Sequence, residues 1–451
     1  MGPNKPAAKH AAKEGATAGG ERARGATKHG ATKPGAAKHG ATKHGAAKHG
    51  VTDPRGTHRE RSARLGGGTT LRLAKDLARV LRRGHPWVFR DALSDAPPAP
   101  GTVVTVVDRE GRFVGRGVAE AGPIGVRVWT THDEPIDERF IERRVRAALA
   151  LREKVAPEDT TALRLLHGEG DRLGGVVCDR YGAHGVLRLD GEATIAWREV
   201  LARTLVREAG LEGLLVKTGR RGETKIELAH GEVPEEIEVR EHGMRLIVDP
   251  YHGQKTGLFL DHRESRRTVR TIARAQRVLN LYGYTGGFSI AAGLGGATEV
   301  TTVDTAAQAL VYADRGWALN VLAPSAHRAV RRDVPEYLAE IAEEGARFDL
   351  IVSDPPSFAP KKDAVPRALR SYRALHEACF RVLEPDGLYL AASCSSHVGA
   401  AAFEETIGEA AQSAQVILTV LGRWGAAPDH PRLAAFPEGD YLGVVLCRVG
   451  R

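Results

Sequence analysis

The amino-acid sequence predicts an α/β fold in which a parallel-sheet domain follows two smaller modules. Three observations lead to this fold class. From about residue 246 onward, short apolar strands alternate with longer helical stretches, which is typical of a parallel sheet. Between residues 69 and 138 the strands are short and broken by turns, which indicates a β-rich module. Between residues 139 and 245 helices lie among strands, which indicates an α+β module.

The N-terminal stretch has a different composition. Residues 26–50 read ATKHGATKPGAAKHGATKHGAAKHG, a five-residue period with almost no apolar side chain larger than alanine. Such a segment cannot bury enough surface to offset its ordering entropy, so residues 1–66 are predicted to be a disordered, basic, low-complexity tail. The tail would suit a basic arm that contacts RNA phosphates. A solvated extension without a required role is the alternative.

Charge is distributed unevenly along the 451 residues. Residues 1–64 hold 14 of the 65 Lys and Arg residues but only 4 of the 56 Asp and Glu residues, so the remaining 387 are nearly neutral despite the net charge of +9. No apolar run approaches the roughly 18 residues needed to span a bilayer, and the N-terminus lacks the apolar region of a signal peptide. We therefore expect a cytoplasmic protein without a membrane partner.

The four cysteines argue against a disulfide framework and against a metal site. Cys178, Cys379, Cys394 and Cys447 lie far apart and show no C-x-x-C spacing. We therefore expect free thiols and no bound metal. Cys178, Cys379 and Cys447 lie within apolar elements and are predicted to be core residues.

The β-rich module spans residues 69–138. The stretch LRLAKDLARVLRRGHPWVF is followed by GTVVTVVDREGRFVGRGVA and GVRVWT, which are short alternating strands broken at Asp108 to Gly111 and at Gly122-Pro123. The next module, residues 139–245, opens with a charged helical stretch from Arg139 to Val155. It continues as strand, strand, helix, strand, strand.

The last domain, residues 246–451, carries a cofactor pattern. The strand Arg277 to Tyr282 runs into GYTGGFSIAAGLGG, a glycine-rich turn that opens a helix and lets the backbone approach a ligand. About twenty residues later a strand ends in Asp304, where a carboxylate can accept ribose hydroxyls. Asp333 follows a third strand, and FDLIVSDPPSF ends a fourth. This order is that of class I S-adenosylmethionine methyltransferases, so S-adenosylmethionine is the expected cofactor.

The D-P-P stretch has a chemistry of its own. Two prolines stiffen the loop and remove two donors, so that its carbonyls are expected to face the cleft. In [DNS]-P-P-[FYW] motifs the residue after the prolines stacks on a base whose amino group is methylated. Phe358 is displaced from that position by Ser357, which argues against a direct amino-group methylase.

Cys394 is the candidate nucleophile. It ends the apolar strand GLYLAAS, so it should lie at the carboxyl edge of the sheet beside the D-P-P loop. Carbon 5 of cytosine is a poor nucleophile, and a thiolate that adds to carbon 6 would activate it. Asp354 is suitably placed to hydrogen-bond or protonate the ring nitrogen. Both residues are predicted to be catalytic.

These residues carry a resemblance to the ribosomal RNA large subunit methyltransferase I family, which makes 5-methylcytosine in 23S ribosomal RNA. The resemblance runs from about residue 70 to 449 and rests on the stretches HPWVF, VRVWT, DRLGGVVCDRYG, GQKTGLFLDHRESRR, YTGGFSIAA, VDTAAQAL, DPPSFAPKK, SCSSHV and DHPRLAAFPEGDYL. It implies an RNA-binding PUA domain, a central β-β-α-β-β domain and a Rossmann-like catalytic domain. The tail has no counterpart in the family.

The resemblance also implies roles for individual residues. The family's catalytic cysteine falls on Cys394, and its D-P-P aspartate falls on Asp354. Lys255 matches the G-Q-K-T-G segment that leads into the cofactor site. The residues expected to bind the cofactor are Gln254, Arg263, Asn280, Tyr282, Tyr284, Thr285, Gly286, Gly287, Asp304, Asp333 and Asp354.

The predicted function is methyl transfer from S-adenosylmethionine to carbon 5 of a cytosine in 23S ribosomal RNA, through a covalent adduct with Cys394. Naked or partly assembled RNA is the expected substrate, and DNA is not. One alternative is a methyltransferase that acts on another RNA base without covalent catalysis. A second is an RNA-binding module with a relic methyltransferase fold. The sequence leaves open which cytosine is modified and whether the chain forms a homodimer.

Overall fold

The computed structural model describes residues 69–219 and 223–450. The predicted tail, residues 1–66, lies outside these ranges. Within them, no helix combines the length and the apolar character needed to cross a bilayer.

The first module is a five-stranded sheet with the order β1-β3-β4-β5-β2. Strands β1 and β3 are parallel, and the β3–β4, β4–β5 and β2–β5 pairs are antiparallel. Valine-rich strands such as V-V-T-V-V fit a buried pleated surface because β-branched side chains pack well there. The elements are β1 (Thr69–Arg72), α1 (Ala78–Arg82), β2 (Trp87–Phe89), β3 (Val103–Val107), β4 (Phe113–Ala119) and β5 (Ile124–Thr130).

The second module begins with a long amphipathic helix. The side chain of Asp137 accepts a hydrogen bond from the Phe140 backbone N–H at 2.9 Å, which satisfies one of the free donors at the helix start. The sheet that follows has the order β10-β9-β8-β7-β6. Its elements are α2 (Glu138–Val155), β6 (Ala162–His167), β7 (Val176–Tyr181), β8 (His184–Leu189), α3 (Glu192–Ile195), α4 (Arg198–Ala209), β9 (Gly213–Thr218) and β10 (Lys225–Gly231).

Two features of this region differ from the sequence prediction. Strand β6 precedes the two predicted strands, and its apolar run A-L-R-L-L-H does not alternate in the way that marks a strand. In addition, β11 (Ile237–Glu241) and β12 (Met244–Val248) pair as an antiparallel hairpin. The predicted boundary between residues 245 and 246 falls inside β12. The hairpin packs as one unit, so this boundary needs correction.

The third sheet has seven strands in the order β15-β14-β13-β16-β17-β19-β18. Strands β13 to β17 pair with one another in parallel, and β19 is antiparallel to both β17 and β18. The chain runs outward from β13 to β15 and then returns to place β16 on the other side of β13. Ligands bind at such a switch point, outside the carboxyl ends of the strands. The strands are β13 (Arg277–Leu281), β14 (Glu299–Asp304), β15 (His327–Arg331), β16 (Phe348–Ser353), β17 (Leu383–Ser393), β18 (Ile417–Trp424) and β19 (Gly443–Gly450).

Helices cover both faces of this sheet. Along β16, Ile351 packs toward α8, α9 and α10, whereas Leu350 and Val352 pack toward α5, α6 and α7. A strand that is buried on both faces reads as a continuous apolar run, which is why L-I-V was recognisable in the sequence. The helices are α5 (Arg263–Ile272), α6 (Gly287–Leu294), α7 (Ala307–Leu319), α8 (Val334–Glu343), α9 (Val365–Arg381) and α10 (Ala400–Ala414).

A buried carboxylate joins the second module to the third sheet. Asp429, in the loop between β18 and β19, is fully buried and accepts two hydrogen bonds from Arg263, at 2.7 and 3.0 Å. The same carboxylate accepts the backbone N–H of Arg164 in β6 at 2.9 Å, and its backbone carbonyl accepts from Arg152 in α2 at 2.8 Å. We call Asp429 and these three arginines the Asp429 clamp.

The clamp makes a stability prediction. Asp429→Ala should lower the free energy of unfolding by about 3–5 kcal/mol, because it leaves the buried guanidinium of Arg263 without its partner. Urea unfolding followed by circular dichroism measures this change. The control is Asp440→Ala in the same loop, where an exposed carboxylate lies 3.6 Å from Arg432 and should contribute less than about 1 kcal/mol. Equal losses in the two variants would contradict the clamp.

Candidate active site

A cavity of about 270 Å³ lies at the switch point of the third sheet. Its walls are the loops that follow β13, β14, β16 and β17, together with segment 254–262, which leads into α5. Segments that lie more than a hundred residues apart in the sequence thus meet at one sheet edge. Gln254, Tyr282, Tyr284, Thr285, Gly287, Asp304, Asp354 and Cys394, all predicted as site residues, line this cavity.

The loop after β13 has an unusual backbone. Tyr282, Tyr284 and Gly286 have φ values of 57°, 47° and 75°, in the left-handed region. A Cβ added at Gly283 would lie 2.4 Å from the Thr302 side chain, so no larger residue fits there. The Tyr284 hydroxyl donates to the Gly257 carbonyl at 3.0 Å, which ties this loop to segment 254–262. The glycines therefore serve a tight turn, as the sequence indicated.

Asp304 lies at the carboxyl end of β14. One carboxylate oxygen accepts the Tyr284 backbone N–H at 2.9 Å, and the other accepts that of Ala306 at 2.8 Å. Each carboxylate oxygen has two lone pairs, so both can accept a further hydrogen bond from a ligand in the cavity. The two backbone contacts hold the carboxylate in place at the cavity wall.

Four predicted cofactor residues do not line the cavity. Asn280 is buried beneath the loop, where it donates to Ser289 at 2.8 Å. Gly286 packs against α7, which a Cβ at this position would meet. Asp333 is exposed and accepts the Glu336 backbone N–H at the start of α8. Arg263, fully buried, belongs to the Asp429 clamp.

Cys394 and Asp354 face the same cavity from adjacent loops. The thiol lies 3.8 Å from the carbonyl oxygen of Pro355, and this carbonyl belongs to the D-P-P loop. Burial raises the pKa of the Cys394 thiol to about 11; the charge of Asp354 adds to the rise, and that of Lys255 opposes it. In the free protein the thiol is therefore protonated at neutral pH.

A buried network of hydroxyl groups fixes the Cys394 loop. Tyr372 on α9 lies 2.9 Å from both Ser393 and Ser395, the neighbours of Cys394. Ser395 also lies 3.1 Å from Ser357 of the D-P-P-S loop. The network holds the Cys394 loop against the D-P-P loop. Tyr372 could not be recognised from the sequence, since its helical position resembles that of any core aromatic.

Phe358 is not among the residues that line the cavity. Its ring packs against Tyr372, with centroids 4.8 Å apart, on the side of α9. The position therefore does not offer an aromatic platform for a base, in agreement with its displacement by Ser357 in the motif.

The other three cysteines are buried in the core, as predicted. Burial raises the pKa of Cys379 to about 12 and that of Cys447 to about 11, and it raises the pKa of Cys178 further. Cys394 is the half-buried cysteine of the four. In the described ranges, no group of three or more His, Cys, Asp and Glu side chains is arranged to hold a metal ion.

Sequence reasoning missed His262 and Asp261, which are among the ionisable residues in the cavity wall. His262 lies with its Nε2 3.2 Å from an oxygen of Asp354. Asp261 accepts the Tyr441 hydroxyl at 2.7 Å through one oxygen, and its other oxygen is buried without a hydrogen-bond partner. Burial opposes the charge on Asp261, but Lys255 and His262 hold the pKa of its carboxyl well below the usual range. Both residues lie in GQKTGLFLDHR, a stretch already singled out for Arg263.

The chain matches known protein families and solved structures. A family model described as S-adenosylmethionine-dependent methyltransferase matches residues 200–435, and a PUA-like domain model matches residues 71–131. Among solved structures, a SAM-dependent methyltransferase from Streptococcus mutans aligns with a TM-score of 0.75 at 23% identity, over 84% of this chain and 99% of that one. A methyltransferase crystallised with SAH aligns with a TM-score of 0.76 at 24% identity, over the same shares.

Two curated relatives bear the same name, ribosomal RNA large subunit methyltransferase I. The protein from Shigella boydii is 36% identical over 391 residues, covering 84% of this chain and 99% of the relative. The protein from Salmonella arizonae is 37% identical over 392 residues, covering 84% and 97%. The predicted fold class, with a PUA-like module before a Rossmann-like methyltransferase domain, is confirmed. The chain belongs to the S-adenosylmethionine-dependent methyltransferases, in the ribosomal RNA large subunit methyltransferase I family.

Proposed function

We propose that the chain methylates carbon 5 of a cytosine in 23S ribosomal RNA through a covalent adduct with Cys394. The observation that carries the proposal is the thiol of Cys394 in one cavity with Asp304 and Asp354. A nitrogen or oxygen acceptor has its own lone pair and needs no thiol. Carbon 5 of cytosine has none and needs covalent activation.

The cavity residues fit S-adenosylmethionine. Asp304 is held by two backbone N–H groups and has lone pairs left for the ribose hydroxyls. The buried, unpartnered oxygen of Asp261 suits a cationic group, and the cofactor carries both an ammonium and a sulfonium. Lys255 lines the same cavity and suits a carboxylate. The residues that would hold the cofactor are therefore Asp304, Asp261, Lys255 and the loop from Tyr282 to Gly287.

The substrate assignment combines the relatives and the first module. The relatives are named for ribosomal RNA of the large subunit. The PUA-like sheet at residues 71–131 is a module that the family resemblance associates with RNA. A base stacked in a helix cannot present carbon 6 to a thiolate, so the target cytosine must be unstacked or flipped outward.

The mechanism begins at Cys394. The thiol loses its proton, and the sulfur forms a bond with carbon 6 of the cytosine, which leaves carbon 5 as part of an enamine. Asp354, beside the thiol, hydrogen-bonds the ring nitrogen that gains electron density. When bound, S-adenosylmethionine supplies the electrophilic methyl group for carbon 5. A base then removes the carbon-5 proton, and the carbon–sulfur bond breaks to release Cys394.

The two alternatives are less well supported. A methylase of an amino group would use an aromatic residue after D-P-P to hold the base, but Phe358 packs against Tyr372. A relic fold would not need a network that fixes Ser393 and Ser395 around an accessible thiol. Covalent methylation of cytosine, by contrast, uses a fixed and accessible thiol.

The cofactor assignment predicts a binding defect. Asp304→Ala should weaken S-adenosylmethionine binding by about 1.5–3 kcal/mol, the range for hydrogen bonds to a charged group. Titration calorimetry with the full chain measures the affinity. Glu340→Ala, which removes an exposed carboxylate on α8, is the control and should bind normally. Unchanged affinity in Asp304→Ala would refute the assignment.

The nucleophile assignment predicts a split between binding and chemistry. Cys394→Ala should bind S-adenosylmethionine and RNA normally, while methyl transfer to a 23S RNA fragment falls by at least about a thousandfold, since loss of a nucleophile costs up to roughly a millionfold elsewhere. Cys379→Ala, at a buried position outside the cavity, should keep most of the activity. Near-normal turnover of Cys394→Ala would mean that methylation proceeds without this thiol.

A further inference from the structure

The pairing of His262 with Asp354 has no role in the mechanism above. His262 is buried, with 3% of its surface exposed. Its Nε2 lies 3.2 Å from Asp354, and its Nδ1 lies 3.3 Å from the Ser265 hydroxyl. Its ring meets the edge of Phe288, with centroids 5.4 Å apart. Both ring nitrogens thus face polar partners, and the packed ring leaves the imidazole little freedom to turn.

The charges around His262 favour its protonated form. Burial opposes a charge there, but Asp354 and Asp261 outweigh it and raise the pKa of the imidazole above its ordinary value. Arg266, one turn further along α5, is the cation that acts against this rise. Arg266 is itself paired with Glu241, at 2.6 and 2.7 Å, so much of its charge is compensated. The surroundings of His262 therefore favour the imidazolium over the neutral ring.

We propose that His262 is a positioning residue that shares one proton with Asp354 and passes it, through Asp354, to N3 of the target cytosine. This inference rests on the proposed function and adds the source of the N3 proton. The position of His262 supports it, since the imidazole contacts the carboxylate that lines the cavity beside Cys394.

Electrons and protons balance in this step. The thiol proton of Cys394 leaves to water, and the sulfur lone pair forms the bond to carbon 6. The carbon 5–carbon 6 electrons become the carbon 4–carbon 5 bond, and the carbon 4–N3 electrons become a lone pair on N3. As charge develops on N3, the imidazolium of His262 gives its proton to the Asp354 carboxylate, and the Asp354 carboxyl gives one proton to the N3 lone pair. The pair thus loses one proton and ends as a carboxylate beside a neutral imidazole. When carbon 5 is methylated, N3 becomes acidic and returns the proton to the pair.

The pair gives methylation a distinctive pH dependence. The reacting form needs both a thiolate on Cys394 and a proton on His262. The fraction of Cys394 that is thiolate rises about tenfold per pH unit until the pH reaches the thiol pKa of about 11. His262 has a raised pKa, so it keeps its proton at low pH and loses it as pH rises through that pKa. The rate of adduct formation should therefore rise with pH, level off above the pKa of His262 and stay level toward pH 11.

The test compares His262→Gln with the wild type. Glutamine keeps an N–H donor for Asp354 but cannot carry the proton, so its rate of adduct formation with 5-fluorocytosine RNA should be at least about tenfold lower at pH 7 and should keep rising about tenfold per pH unit without a plateau. His397→Gln, an exposed histidine in the Cys394 loop, is the control and should behave like the wild type. A plateau in His262→Gln at the wild-type pH would overturn the proposal.

A second measurement covers the case in which His262→Gln does not fold. Histidine-selective NMR titration of the wild-type chain should give His262 a pKa above the ordinary histidine value, and a pKa below that value would also overturn the proposal. If the proposed methylation through Cys394 is itself wrong, the outcome is different from both of these. Wild-type protein would then form no adduct with 5-fluorocytosine RNA at any pH.

Discussion

The buried carboxylate of Asp429 is the interaction on which the geometry of the site depends. It binds Arg263 at the first turn of α5 and the backbone of β6 at once. Segment 254–262, which leads into that turn, forms one wall of the cavity. A buried charge is tolerated only where partners satisfy it, so this carboxylate fixes where α5 begins relative to the second module. The second module is therefore part of the structural support of the cavity.

The same module holds segment 254–262 from the other side. Thr256 donates to Asp179, and Asp179 is paired with Arg164, which also meets Asp429 through its backbone. Tyr181 accepts the Leu258 backbone N–H at 3.1 Å. On the opposite wall, the hydroxyl of Tyr372 fixes the Cys394 loop. Both walls are thus held by buried polar contacts, which suits a reaction that needs a thiol and a carboxylate at fixed positions.

The amino-acid sequence was sufficient for what depends on local pattern. Strand periodicity predicted the parallel sheet, and because parallel strands share one carboxyl edge, Asp304, Asp354 and Cys394 could be placed together from the sequence alone. The sequence was insufficient for contacts between residues that lie far apart along the chain. Arg263 was expected to bind the cofactor because its segment resembles that of the family, whereas its side chain pairs with Asp429, 166 residues away. Tyr372, His262 and strand β6 were missed because helical spacing, a lone histidine and an irregular apolar run carry no specific signal.

Trapping tests most directly whether Cys394 forms a bond to the target base. Fluorine at carbon 5 of cytosine cannot leave as a cation when the proton would be removed, so the methylated adduct should persist. The measurement is mass spectrometry of the peptide cross-linked to a 5-fluorocytosine 23S RNA fragment in the presence of S-adenosylmethionine. We expect a peptide that contains Ser393, Cys394 and Ser395, modified on the cysteine. A cross-link to Cys379 or Cys178, or complete methylation without any cross-link, would contradict the covalent role of Cys394.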